Sequence, residues 1–95
     1  MNKLIEALNA GKRRGYEERR TICGEELFFQ YAIKKQDDVY CTYFFAVEVS
    51  RMDLIEDDEN EEVKIFLSLD AALEYLAVKG ALIEKFSVIS STLPF

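Results

Sequence analysis

Two apolar runs rich in aromatic and β-branched residues lie at the centre of the chain, on either side of the polar segment 34–38. This pattern predicts a β-hairpin over residues 27–49. Because side chains alternate between the two faces of a strand, alternate residues of each run should share a face. We expect one core face made of Leu27, Phe29, Tyr31, Ile33, Cys41, Tyr43, Phe45, Val47 and Val49. The second face would then carry Phe28, Gln30, Ala32, Tyr40, Thr42, Phe44, Ala46 and Glu48.

The segments before the hairpin predict a short helix and a strand. Leu4, Ile5 and Leu8 form one apolar stripe over residues 2–10, and Gly11 stands where a helix would end. Residues 16–23 alternate in a way that favours a strand, which would turn at residues 24–25 and pair with the hairpin. The same residues could instead extend a helix.

A strand and a helix are predicted after the hairpin. Residues 63–67 predict a short strand with Val63, Ile65 and Leu67 turned inward, and Ser68 is placed to cap a helix over residues 69–79. That helix should end at Gly80. Its expected buried stripe consists of Leu69, Ala72, Leu73, Leu76 and Ala77. Phe86, Val88 and Ile89 favour a final extended segment, with an added edge strand as an open alternative.

These elements predict an α+β fold in the order α-β-β-β-β-α, with a final strand as an open alternative. Short connections favour an antiparallel meander of about four strands, and the two helices should pack on one face of this sheet. A chain of 95 residues is too short to divide into two units with separate cores. We therefore expect one domain over residues 1–95.

Charge is unevenly distributed along the chain, whose net charge is −6. Residues 1–35 contain eight Lys or Arg and five Glu, a balance of +3, whereas residues 36–95 contain four bases and thirteen acids, a balance of −9. Seven of these acids lie in residues 53–62, which contain no base and which we interpret as a solvated loop. The acidic majority favours a basic partner over a nucleic acid.

The sequence contains no histidine, which excludes histidine-based catalysis and imidazole metal sites. Two cysteines are too few for a structural zinc site, and the acidic run lacks the spacing of an EF-hand. The four glycines form no phosphate-binding or dinucleotide-binding motif. We therefore expect a protein that is not an enzyme and that holds no metal or cofactor.

The number of cysteines and the length of the apolar segments indicate in which cellular compartment the protein resides. We expect Cys23 and Cys41 to be small buried side chains rather than a disulfide. No apolar stretch approaches the roughly 20 residues of a membrane span, and the first residues do not form a signal peptide. These features predict a cytoplasmic protein.

Three groups of residues are candidates for binding. The first is the acidic run, as a surface for a basic partner: Asp53, Glu56, Asp57, Asp58, Glu59, Glu61 and Glu62. The second is an aromatic patch on the second sheet face, for a partner or another subunit: Phe28, Tyr40, Thr42 and Phe44. The third is a basic stretch that could contact phosphates: Lys12, Arg13, Arg14, Arg19 and Arg20.

The stretch FLSLDAALEYLAVKG (residues 66–80) resembles segments of many small bacterial α+β proteins, immunity proteins among them, although its 15 residues contain no diagnostic motif. We expect a small acidic inhibitor that masks a basic partner, as immunity proteins mask nuclease toxins. One alternative is a homo-oligomeric structural or regulatory module that pairs through the sheet. Another is a nucleic-acid-associated protein that uses residues 12–20.

Overall fold

The computed structural model describes residues 2–50 and 61–89. These residues form a four-stranded antiparallel sheet whose strands follow one another in sequence order, with two helices on one face. The predicted α+β class and the order α-β-β-β-β-α are confirmed. The elements are α1 (Asn2–Asn9), β1 (Arg14–Ile22), β2 (Glu25–Gln36), β3 (Val39–Glu48), β4 (Glu61–Phe66) and α2 (Leu69–Val78).

Two tight turns connect the first three strands. The segment that was ambiguous between strand and helix is strand β1, and it turns into β2 at Cys23 and Gly24. Both residues have positive φ, 51° and 83°, as a type I′ hairpin turn requires. The next turn consists of Asp37 and Asp38, so residues 34–36, which were expected in the polar break, extend β2.

The short second turn decides which side chains share a face, and the expected grouping of the hairpin residues is wrong. Gln36 is paired with Val39, and this register places Tyr31 opposite Phe44. Directly opposed residues lie on the same face of an antiparallel pair, so odd-numbered residues of β2 share a face with even-numbered residues of β3. The face covered by the helices, here called the helix face, carries Leu27, Phe29, Tyr31, Ile33, Tyr40, Thr42, Phe44 and Ala46. The second face carries Phe28, Gln30, Ala32, Cys41, Tyr43, Phe45 and Val47.

The core lies between the helix face and the two helices. Tyr31 and Ile33 are fully buried there, against Leu8 of α1 and Leu76 of α2. Burial of each leucine stabilises the fold by roughly 1.5–3 kcal/mol, which holds both short helices on the sheet. The expected stripe of α2 is correct at Leu76 but wrong at Ala77, which is exposed.

Helix α2 begins and ends where the sequence predicts. The Ser68 side chain accepts a hydrogen bond from the backbone N–H of Ala71 at 3.2 Å. After the last turn, Gly80 has a φ of 103° and its N–H donates to the carbonyl of Ala77 at 2.9 Å. This left-handed termination satisfies carbonyls at the helix end, and Gly11, with a φ of 78°, ends α1 in the same way.

Strand β4 is present and its Phe66 packs against the core, but Val63 and Ile65 of the strand, and Leu67 just after it, are exposed, contrary to expectation. Val63, Ile65 and Leu67 are 46%, 66% and 86% exposed. The register pairs Val63 with Tyr43 and therefore places Val63 on the second face, whereas the helices cover the other face. Alternation shows that such residues share a side, but it does not show which side the helices cover.

The segment after α2 reaches the opposite edge of the sheet. A short 3-10 helix, Ile83–Lys85, precedes Ser87, which forms an isolated antiparallel bridge with Gly15 of β1. The extended edge segment expected near Phe86 is therefore reduced to one bridge within the described residues.

Candidate interaction surfaces

The last two acids of the acidic run are held by contacts within the fold. The Glu61 carboxylate accepts a hydrogen bond from the Tyr43 hydroxyl at 2.8 Å. The Glu62 carboxylate accepts from Lys79 Nζ at 3.2 Å and from the Tyr75 hydroxyl at 3.0 Å, and these bonds lower the pKa of Glu62. Both residues thus anchor the start of β4. The other acids of the run lie outside the described residues: Asp53, Glu56, Asp57, Asp58 and Glu59.

Acidic side chains from separate strand ends meet at one end of the sheet. Glu25 and Glu26 begin β2, and Glu48 ends β3; together with Gly24, Val49 and Ser50 they line an open cleft of about 390 Å³. Glu61 begins β4 at the same end, opposite Phe45. We call Glu25, Glu26, Glu48 and Glu61 the acidic end. The first three were not among the sequence candidates, because they are far apart in sequence and become neighbours only through the strand register.

Basic side chains gather at the opposite end of the sheet. Arg14, the first residue of β1, lies opposite Ile33, which is near the end of β2. The two bases that precede Arg14 and the two that follow Ile33 therefore lie close together. Lys35 donates a hydrogen bond to Asn9 of α1 at 3.3 Å, and its ammonium lies 5.8 Å from the centre of the Tyr40 ring. We call this group the basic end: Lys12, Arg13, Arg14, Lys34 and Lys35.

The expected basic stretch is therefore divided in space. Arg19 and Arg20 lie toward the other end of β1, where Arg19 pairs with Glu26 at 3.3 Å. Arg20 donates to the Glu18 carboxylate and to the carbonyl oxygen of Gly80, the latter at 2.8 Å. The bond to Glu18 raises the pKa of Arg20. These two arginines thus have partners within the fold, whereas the first three bases of the stretch belong to the basic end.

The expected aromatic patch does not exist as a single surface. Phe28 lies on the second face, where its ring centre is 6.2 Å from that of Phe45. Tyr40, Thr42 and Phe44 lie on the helix face instead, and Thr42 is fully buried and donates to the carbonyl of Lys64 at 3.3 Å. The odd-to-even pairing set by the Asp37–Asp38 turn separates Phe28 from the other three.

The uneven charge along the sequence is consequently a charge separation along the strands. The five bases of the basic end lie near two acids, Asp37 and Asp38, in the adjoining turn. The four acids of the acidic end lie near two bases, Arg19 and Arg20. Arg19 neutralises Glu26 locally, while Glu25 and Glu48 have no such ion pair among the described residues. A sheet polarised in this way presents potentials of opposite sign to partners at its two ends.

The cysteines occupy different environments. Cys41 is buried on β3 as expected, but Cys23 is exposed in the β1–β2 turn, which corrects the expectation that both are buried. Both thiols are free.

In residues 2–50 and 61–89, no group of three or more Cys, Asp or Glu side chains is arranged to hold a metal ion. Neither helix of these segments has the length and apolar character needed to cross a membrane.

Comparison of the chain with protein-family models, with curated proteins and with solved structures finds no match.

Proposed function

We propose that the protein is a non-enzymatic protein-binding module, a small acidic inhibitor of the immunity-protein kind that masks a basic partner such as a nuclease toxin. The acidic end carries this proposal. Glu25, Glu26 and Glu48 line one open cleft, and five further acids of the candidate run follow Ser50 and precede Glu61 in the sequence. A cytoplasmic location is part of the proposal and is supported by the two free thiols.

The physical basis is electrostatic steering. Acids concentrated at one end, with the bases at the other, orient the molecule during encounter, so that a basic partner meets the acidic end first. Charge complementarity of this kind raises the association rate and disfavours acidic competitors. The cleft gives the partner a concave surface lined by three glutamates.

Affinity capture tests whether a partner exists. The tagged protein is used to capture proteins from the cells that produce it, and bound proteins are released with rising salt and identified by mass spectrometry. We expect a stoichiometric partner with a basic domain, released as salt screens the contact. Recovery of the protein alone at every salt concentration would contradict the proposal.

Charge reversal tests whether the acidic end is the binding surface. The double variant Glu25→Lys/Glu48→Lys changes the cleft, and a second variant reverses Glu56, Asp57, Asp58 and Glu59. Each should weaken binding of the captured partner at least tenfold without changing the thermal unfolding temperature appreciably.

The matched control is Glu74→Lys/Glu84→Lys, which makes the same change in net charge at exposed sites on α2 and the 3-10 helix. This control should retain most of the affinity. Equal losses in the control and in the cleft variant would show that net charge alone, rather than the acidic end, governs binding.

A nucleic-acid-associated function is the second candidate, and the basic end favours it. Lys34 and Lys35 join Lys12, Arg13 and Arg14 there, which makes a denser basic surface than the sequence stretch alone. This function predicts oligonucleotide binding that weakens steeply with salt and that is lost in Lys34→Glu/Lys35→Glu. Absence of binding at low salt would eliminate it.

A further inference from the structure

The outer side of β4 is an unpaired sheet edge with apolar side chains. Among the described residues, β4 pairs with β3 on one side and no strand lies on the other. Along this edge Val63, Ile65 and Leu67 are 46%, 66% and 86% exposed. An exposed edge strand of this kind is a template for pairing with another strand.

The direction of the free backbone groups follows from the opposite edge of the sheet. Gly15 exchanges both of its backbone hydrogen bonds with Ser87, so its N–H and C=O point away from β2. Gly15, Ala32, Tyr43 and Val63 form one row of directly opposed residues across the four strands. Along such a row, a pair without backbone hydrogen bonds is followed by a hydrogen-bonded pair, because each residue points its N–H and C=O to one side only. Gly15 does not bond to Ala32, so Ala32 exchanges backbone hydrogen bonds with Tyr43. Tyr43 therefore does not bond to Val63, which points its N–H and C=O outward.

Ile65, two residues further along β4, repeats this direction. The groups that point outward thus belong to the same residues whose apolar side chains are exposed on the second face. The edge therefore offers a pair of donors and a pair of acceptors within two residues, together with apolar surface beside them.

Charge on β4 discriminates between the ways in which a second copy could pair with it. A two-fold axis at Lys64 would set the two lysines opposite each other, and like charges in that position are destabilising. An axis at Val63 sets Lys64 of each copy opposite Glu62 of the other. These are non-hydrogen-bonded pairs, in which opposed side chains come closest. The strand is thus complementary to itself in charge when the axis lies at Val63.

The charge separation of the whole sheet favours the same arrangement. Antiparallel pairing about a two-fold axis reverses the second sheet, so the acidic end of each copy lies on the same side as the basic end of the other. The long-range fields of the two copies are then complementary. A two-fold axis also closes the assembly at two copies.

We propose that β4 is a dimerisation strand: two copies of the chain pair β4 to β4, antiparallel about Val63, and form one continuous sheet. This inference goes beyond the proposed function, because an acidic end that binds a basic partner does not require a dimer.

Sedimentation equilibrium tests the proposal on the full chain over protein concentrations of about 1 to 500 µM. The wild-type protein should change from the mass of one copy to the mass of two. Ile65→Pro removes an outward N–H and leaves the β3–β4 hydrogen bonds in place, as proline is tolerated at a strand edge. Lys64→Glu keeps the backbone unchanged and replaces two attractive pairs by two repulsive ones. Each variant should raise the dimer dissociation constant about tenfold or more.

Val88→Lys is the matched control, since Val88 is 75% exposed but follows Ser87 at the opposite edge of the sheet. It should dimerise as the wild type does, and circular dichroism should show that all three variants remain folded. A wild-type protein that stays monomeric throughout overturns the proposal and leaves the β4 edge to a strand of another protein. Dimers that persist in both β4 variants, or that are lost in Val88→Lys, overturn it as well.

Discussion

The guanidinium of Arg20 donates a hydrogen bond to the carbonyl oxygen of Gly80 at 2.8 Å, which joins two residues that are 60 positions apart in the chain. Beside it, the Tyr31 hydroxyl donates to the carbonyl oxygen of Lys79 at 3.2 Å. The Arg20 guanidinium also lies 4.9 Å from the centre of the Phe29 ring. Two successive carbonyls beyond the last turn of α2 are thus satisfied by side chains from β1 and β2, which fixes the end of the helix on the sheet.

Gly80→Ala should destabilise the protein by about 1–3 kcal/mol. Gly80 has a φ of 103°, a conformation that L side chains rarely adopt, and an added Cβ would lie 3.0 Å from a nitrogen of Arg20 and 3.2 Å from the Tyr31 hydroxyl. The substitution therefore adds backbone strain and disturbs both carbonyl contacts. Urea unfolding of the two proteins measures the difference.

Gly11→Ala is the matched control for this substitution. Gly11 also has a positive φ, 78°, but an added Cβ would meet no atom within 4 Å. It should therefore lose stability through backbone strain alone, and less than Gly80→Ala does. Equal losses at the two positions would show that the contacts of Arg20 and Tyr31 with the helix end add nothing measurable.

Tyr31, which is fully buried, and Tyr75, which is partly buried, should make the protein unstable in alkali. Burial raises the pKa of Tyr31 from 10.0 to about 12, and burial together with the Glu62 carboxylate raises the pKa of Tyr75 to about 12. A folded-state pKa above the unfolded value means that stability is fully present below pH 10 and is lost as pH rises toward 12. Phenolate absorbance should show that some tyrosines of the folded protein ionise only as pH rises toward 12, and that in denaturant they ionise at lower pH. Tyr31→Phe and Tyr75→Phe should each remove part of the absorbance change at high pH. Full ionisation of the folded protein near pH 10 would contradict this.

Glu62 should contribute to loss of stability in acid. Hydrogen bonds from Lys79 and Tyr75 hold its pKa below the ordinary value of 4.5. The stabilisation is therefore present above pH 4.5 and is lost as pH falls through the lower, folded-state pKa. Because the Glu62 side chain is 39% exposed, its effect should be at most about 1 kcal/mol. Glu62→Gln should flatten the decrease in unfolding free energy between pH 6 and acid, whereas Glu74→Gln, at an exposed site of α2, should leave it unchanged.

The elements of the fold were predictable because local signals specify them. Ser68 and Gly80 bound α2, and alternating apolar residues mark the long strands. The register of the strand pairs was harder to predict from the sequence. The polar break at residues 34–38 contains several bases and acids, and nothing local indicates that the turn uses Asp37 and Asp38 alone. A turn one residue longer would reverse the faces of β3 relative to β2, which is why the aromatic patch was predicted wrongly.

The candidate surfaces show the same limit. Acids that are adjacent in sequence are evident from the sequence alone. Two of them, Glu61 and Glu62, nevertheless bond to side chains within the fold. Glu25 and Glu48, which line one cleft, are 23 positions apart and become neighbours through the register of β2 with β3. Correct strand pairing would have revealed the acidic end and shown that Val63 shares a face with Tyr43 rather than with Tyr31, and periodicity alone does not supply it.

The two thiols should report separately on a turn and on the sheet interior. Cys23 is exposed in the β1–β2 turn and should react readily with a thiol reagent in the native state. Cys41 is 8% exposed on β3, a strand paired on both sides, so its labelling requires opening of the sheet. Its labelling rate should be at least about a hundredfold slower and should rise with urea in parallel with global unfolding. Mass spectrometry of Cys23→Ser and Cys41→Ser assigns the two phases, and rapid labelling of Cys41 without urea would mean that the β2–β3–β4 sheet opens locally.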